Sequence, residues 1–214
     1  MPVSVTDWLL YGVACLLPSA LAAYFCGCFN GAVIVSKYIL RDDVRNHGSG
    51  NAGLTNFYRT FGGFLTLVVI ACDVLKVMAA VWIVSRFLGA TVFTKYWAGL
   101  FCLLGHMFPC MFRFKGGKGI LSGGTLALLI DWRVALVVWG GFLLLVFLTR
   151  YVSLGSIWAG FSFPFISWFC YPNPLIVVLA FVTGWLVVWQ HRANVKRLLA
   201  GNENRFSLHR SGKT

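Results

Sequence analysis

The sequence predicts an all-α, polytopic membrane protein of about seven transmembrane helices, with its N-terminus outside and its C-terminus in the cytoplasm. Three observations predict it. The 214 residues are 59% hydrophobic and only 11% charged, whereas a soluble domain carries about 25% charged residues. Apolar runs long enough to cross a bilayer as helices, about 17–25 residues, recur along the chain. Lys and Arg fall very unequally on the two sides of those runs. The mean hydropathy of +0.79 agrees.

The runs come in order. The first covers about 8–30 and continues towards Leu40. No basic residue precedes Lys37, so it lacks a secretory n-region and is expected to be retained as a span. The second covers 63–87 and carries Asp73 and Lys76. The third covers 92–112. The fourth, about 119–130, is short for a span. The fifth, sixth and seventh cover 134–149, 152–171 and 174–190, divided by Arg150 and by Tyr171-Pro-Asn-Pro174. No internal repeat is evident, and a single domain over 1–214 accounts for the whole pattern.

With seven spans, alternate connections share a side. Of the eighteen Lys and Arg, only Arg86, Lys95 and Arg133 fall on one side, and Lys76 lies within a span. The other fourteen, Arg210 and Lys213 among them, fall on the opposite side, which is therefore cytoplasmic. This asymmetry explains the net charge of +12. Nucleic acid is not indicated, because a basic stripe needs a soluble face and this chain is too apolar. The seven cysteines lie mostly in apolar runs, with no CxxC pair and no His beside Cys26-Gly-Cys28. They read as small buried hydrophobes, and neither a metal nor a cofactor is expected.

Three polar clusters interrupt the apolar pattern, all on the cytoplasmic side. The first, GSGNAGLTNFYRTFG at 48–62, is rich in glycine. Glycines let backbone N–H groups approach an anion closely. Ser49, Gly50, Asn51, Gly53 and Asn56 are candidate ligands for a phosphate, and Arg59 adds a planar fork suited to one. A plain loop with a helix cap fits the same residues. Arg41 and Arg45 read as positive-inside anchors.

The second cluster, GHMFPCMFRFKGGKG at 105–119, pairs Gly116 and Gly117 with Lys115 and Lys118. It is not the nucleotide P-loop. That motif needs Gly five residues before the Gly-Lys pair, where Phe112 stands, and Ser or Thr after the Lys, where Gly119 stands. A basic turn is the competing reading. His106 and Pro109 read as shaping the end of the third span.

The third cluster, HRANVKRLLAGNENR at 191–205, extends the seventh span as a helix. His191 and Asn194 share a face, Gly201 stops the helix, and Glu203, the one Glu of the chain, can brace the tail against an Arg. Arg192, Lys196 and Arg197 also suit lipid headgroups. Ser153, just below the cytoplasmic surface, can add a hydroxyl or simply bond a neighbouring helix. Asp73 and Lys76, three apart at membrane depth, can pair with one another on one helix face. They either lock helices together or line the wet base of a cavity. The clusters together suggest a cationic pocket for small phosphates, beside spans that can hold an acyl chain.

Taken in order, the three clusters resemble the signature motifs of the bacterial acyl-phosphate:glycerol-3-phosphate acyltransferases, the PlsY family. The resemblance runs from about Arg41 to Phe206. DVLK at 73–76 matches too, although the family often has Gly where Val77 stands, and the cysteines in the spans are unusual. The resemblance implies a multi-pass enzyme of the bacterial inner membrane with its site facing the cytoplasm. It implies acyl transfer from acyl phosphate to the 1-hydroxyl of glycerol 3-phosphate, giving 1-acylglycerol 3-phosphate and phosphate. It further implies a peripheral phosphate acyltransferase as partner, making acyl phosphate from acyl carrier protein. Ser49, Arg59, His191 and Asn194 take catalytic places in that picture. Lys115, Gly116, Gly117 and Lys118 form a glycerol-phosphate loop, and Glu203 supports the third motif. The family is thought to use a substrate phosphate oxygen as base, with His191 the one side-chain alternative. No His is followed five residues on by Asp, so the His-x4-Asp pair of acyl-CoA-dependent enzymes is absent. The rival reading is a small-anion transporter, which needs cations reachable from both sides.

Overall fold

A computed structural model of the chain describes residue 10 and residues 12–206. Arg210 and Lys213, and the start of the first apolar run, lie outside the described residues. Among the described residues the fold is helical throughout, with no strand.

The first run forms α1, Gly12–Cys28, and a second piece, α2, Gly31–Ile39, bent from it by 43°. The break has a local cause. Asn30 adopts an extended conformation and its side chain accepts from Val33 N, capping α2. Short α3, Leu54–Thr60, carries Arg59 and precedes the long α4, Leu65–Leu88. Next comes α5, Val92–Met107, capped by Thr91. The sequence then gives α6, Ile120–Ile130; α7, Trp132–Thr149, capped by Asp131; and α8, Val152–Cys170. Asn173 caps α9, Pro174–Gln190, with Pro in its first turn. α9 bends by 53° into amphipathic α10, Arg192–Leu199.

By length and composition α4, α7 and α8 can each cross a membrane, and five crossings result if each bent pair counts as one. α5 has 16 residues and α6 only 11, so α6 rises about 16 Å, half a hydrocarbon core. The shortness of the 119–130 run is thus real.

α5 is the centre of the bundle. It packs against α1, α4, α6 and α9, and Tyr96, Cys102, Leu103 and Met107 on it are fully enclosed. Its contact with α1 is set by glycine. A Cβ on Gly27 would sit 2.0 Å from Cys102 O, and one on Gly105 would sit 2.0 Å from Tyr24 O. Helices that meet in lipid rely on such close backbone approach, because apolar transfer gives no net gain there. Large apolar side chains instead cover the outside: Phe147 on α7 is 84% exposed and Phe169 on α8 is 83% exposed, as a lipid-facing surface requires.

Candidate active site

The first polar loop is built around Asn56. Its Nδ2 lies 3.0 Å from the carbonyl oxygens of Val44 and His47 and 3.1 Å from that of Asn51, and its Oδ1 accepts from Ser49 N at 3.0 Å. One buried amide thus satisfies four backbone groups of a loop that has no ladder of its own. Asn30 holds the same loop from below, donating to Ala52 O at 3.1 Å. One turn beyond Asn56, the Arg59 guanidinium makes no hydrogen bond or ion pair with a described residue. Its fork is free for a ligand.

The second loop folds back on the end of α5. Gly116 N donates to Met107 O and Gly117 N to His106 O, both at 3.1 Å. These bonds satisfy carbonyls that the helix end leaves open. The approach is too close for any side chain. A Cβ on Gly116 would lie 2.0 Å from His106 O, and one on Gly117 2.2 Å from His106 Nε2. The two glycine N–H groups are therefore spent on the protein, whereas the sequence suggested that they face an anion. Arg45 is also more than a membrane anchor. It binds Asp43 and reaches across to donate to Phe112 O at 2.9 Å and Lys115 O at 3.1 Å, tying the two loops together.

Lys118, directly after the two glycines, donates to Asn194 Oδ1. The Asn194 amide donates in turn to Glu203 Oε1 at 2.9 Å, and Glu203 Oε2 pairs with Arg197 Nε at 2.8 Å. The tail after α10 is pinned by Phe206 N, which donates to Arg150 O at 2.7 Å. Burial, then the neighbouring Arg197, draws the Lys118 ammonium down to about 8 against the pull of Glu203. Burial raises the Glu203 carboxyl, but hydrogen bonds from Asn194 and Arg197 outweigh it and leave it below its ordinary value. His191, at the α9–α10 bend, has Nδ1 2.8 Å from Val187 O. A carbonyl only accepts, so Nδ1 carries the hydrogen and Nε2 keeps a lone pair.

These groups surround one cavity of about 260 Å³. Ser49, Asn51, Gly53, Asn56, Arg59, Lys118, Ser153, His191, Asn194 and Glu203 all line it. Gly50, Lys115, Gly116 and Gly117 do not. The buried Ser153 hydroxyl lies beside the Glu203 carboxyl and adds to the hydrogen bonding that lowers it. Apolar Ile120, Leu121, Trp139, Phe142 and Val152 close the cavity on another side. A second, almost wholly apolar cavity of about 30 Å³ adjoins it and shares Gly119 and Ile120.

Sequence reasoning left open whether Asp73 lines a cavity and missed His106, read as shaping a helix end. Asp73 and His106 both line this cavity. Lys76 joins them, its Nζ 2.6 Å from Asp73 Oδ1 and 2.6 Å from His106 Nδ1. The three are at most 6% exposed. The i, i+3 spacing gave the Asp–Lys pair. Nothing in the spacing gave its partner thirty residues on.

A family model described as Glycerol-3-phosphate acyltransferase matches residues 17–201. The glycerol-3-phosphate acyltransferase of Thermoanaerobacter pseudethanolicus is 37% identical over 188 residues, 88% of this chain and 94% of the relative. That of Fusobacterium nucleatum is 35% identical over 185 residues, 86% of this chain and 95% of the relative. Two crystal structures of PlsY (YgiH), an integral membrane glycerol 3-phosphate acyltransferase, superpose on the chain. The glycerol 3-phosphate form gives a TM-score of 0.81 at 33% identity, covering 90% of this chain and 96% of that one. The lysophosphatidic acid form gives 0.78 at 32%, covering 90% and 95%.

Proposed function

The chain belongs to the glycerol-3-phosphate acyltransferase family and is an integral membrane acyltransferase of phospholipid synthesis, and from that premise we propose that its acyl donor is an acyl phosphate. The anion-transporter alternative falls with the family. The observation that carries the donor assignment is the cavity wall, where cations that suit phosphate groups meet apolar side chains that suit a fatty chain.

The reaction balances without a cofactor. The 1-hydroxyl oxygen of glycerol 3-phosphate attacks the acyl carbon. The carbon–oxygen bond to the donor phosphate breaks, and inorganic phosphate leaves with the bonding pair. The hydroxyl proton passes to a phosphate oxygen of the substrates or to His191 Nε2, which has its lone pair in reserve. The leaving group is already good, so positioning and charge carry the catalysis. Arg59, with its guanidinium free, and the Ser49 hydroxyl hold the donor phosphate. Lys118, held by Asn194 and through it by Glu203, orients glycerol 3-phosphate. The Ser153 hydroxyl, beside Glu203 at the cavity wall, offers the ligand one further contact. Asn56 acts earlier, by holding the loop in shape.

The proposed setting is a bacterial inner membrane with the N-terminus outside, seven membrane segments, and the cavity facing the cytoplasm. A peripheral enzyme that converts acyl carrier protein thioesters to acyl phosphate supplies the donor. The test follows radiolabelled glycerol 3-phosphate into lipid with purified protein, each donor supplied alone. Rapid product with palmitoyl phosphate and little or none with palmitoyl-CoA is expected. Equal rates from the CoA thioester overturn the donor assignment.

A further inference from the structure

We propose that His106, held by Lys76 and Asp73, presents a neutral N–H to the cavity and donates it to a phosphate oxygen of a bound substrate. The proposal rests on the acyltransferase reading and adds a substrate contact that none of the three sequence motifs assigned.

The geometry fixes the hydrogen. Lys76 has only donors to offer. Its Nζ lies 2.6 Å from His106 Nδ1 and 2.6 Å from Asp73 Oδ1. His106 Nδ1 therefore accepts, and the ring hydrogen sits on Nε2. Asp73 offsets the Lys76 charge, so the cluster stays buried without a net charge, and its carboxylate lies 3.8 Å from the ring. The ring edge packs on Gly117, where a Cβ would clash with Nε2, so only glycine there leaves room for this ring position.

The far side of the ring is unfinished. Among the described residues, His106 Nε2 has no hydrogen-bond partner. It is not among the fully enclosed polar atoms without one, although the residue is only 2% exposed. The remaining opening is the cavity, which His106 lines together with Lys118 and Arg59. A buried N–H left unpaired costs about 1–3 kcal/mol, so an oxygen arriving there is favoured. The cations beside it select an anionic oxygen. His191 has the reverse arrangement, with the hydrogen turned to the protein and the lone pair free. The two histidines thus offer the cavity one donor and one acceptor.

Two sources of the oxygen share this chemistry: glycerol 3-phosphate and the acyl phosphate. Protein labelled with nitrogen-15 in histidine, in detergent, distinguishes them through the His106 ring signals, assigned by loss in His106→Phe. The free protein should show an unprotonated Nδ1 and a protonated Nε2. A shift of the Nε2 signal with glycerol 3-phosphate alone assigns the contact to the acceptor. A shift with a non-hydrolysable acyl phosphonate alone assigns it to the donor. No shift with either ligand, at concentrations that do shift the ring signals of His191 in the same cavity, overturns the proposal. Kinetics give the second readout. His106→Phe, which keeps a ring but no donor, should raise KM for that same substrate at least tenfold, as loss of about one charge-assisted hydrogen bond requires. His106→Gln, which restores an N–H, should recover most of it. Equal KM values in wild type, His106→Phe and His106→Gln, at the same melting temperature, also overturn it. Wild-type turnover with acyl phosphate is measured alongside, so a wrong donor assignment is seen separately.

Discussion

Lys118 and Asn194 are 76 residues apart in the chain and share one hydrogen bond at the cavity wall. The bond joins the second polar loop to the last helix. It also explains why a cation can sit in a largely buried place: Asn194 passes the contact on to Glu203, whose carboxylate faces Arg197 as well.

That arrangement predicts an alkaline limb. Lys118 must be charged to hold a phosphate, and burial brings its pKa down to about 8. Its charge is therefore lost as pH rises through about 8 rather than near its ordinary 10.5. kcat/KM for glycerol 3-phosphate should be level near pH 7 and fall about tenfold per pH unit beyond 8. The Lys118→Arg protein should show no such limb, whatever its rate, because guanidinium keeps its charge. A limb of the same position in both proteins would assign it to another group.

Arg59→Lys tests the free guanidinium. Lysine keeps the charge but loses the planar fork. Removing one such contact from the transition state costs about 2–4 kcal/mol, on the order of a hundredfold in kcat. Near-normal turnover by folded Arg59→Lys protein would reduce Arg59 to a surface cation.

Asn56→Ala should damage the fold before the chemistry. It leaves carbonyls of Val44, His47 and Asn51 without their donor, at about 1–3 kcal/mol for each that stays buried. A lower melting temperature is expected, with KM rising for both substrates together. An unchanged melting temperature with KM raised for one substrate would instead make Asn56 a direct ligand.

Topology is open to thiol labelling in a cysteine-free background. Ala90 and Asn46 are both exposed and fall on opposite sides in the seven-segment arrangement. An impermeant maleimide added to sealed cells should reach Ala90→Cys and spare Asn46→Cys. Ala52 is a poor probe because it is fully buried. Reaction at position 46 from outside would reverse the proposed orientation.

The helical, membrane-bound character was legible because it is written in composition and run length, which need no tertiary knowledge. So were most of the polar residues that meet at the cavity, because each motif concentrates rare polar groups in an apolar chain. What was not legible depends on where the backbone turns. The glycines of KGGKG read as anion donors, but the loop folds back and spends Gly116 and Gly117 on the carbonyls of α5. Arg45 read as a headgroup anchor because nothing near it in sequence reveals Phe112 and Lys115 as its acceptors. His106 read as helix-end furniture because Lys76 meets it only after α4 packs on α5.

The shared wall of the two cavities at Gly119 and Ile120 has a consequence for how this enzyme must be measured. Ionic groups and hydrocarbon are separated there by a single peptide step. A molecule reacting at that boundary draws one partner from water and the other from a lipid phase. Its rate then answers to two scales, molarity for glycerol 3-phosphate and mole fraction in the bilayer or micelle for the acylated partner. Adding inert detergent at constant donor should slow turnover by surface dilution alone, with no change in the protein.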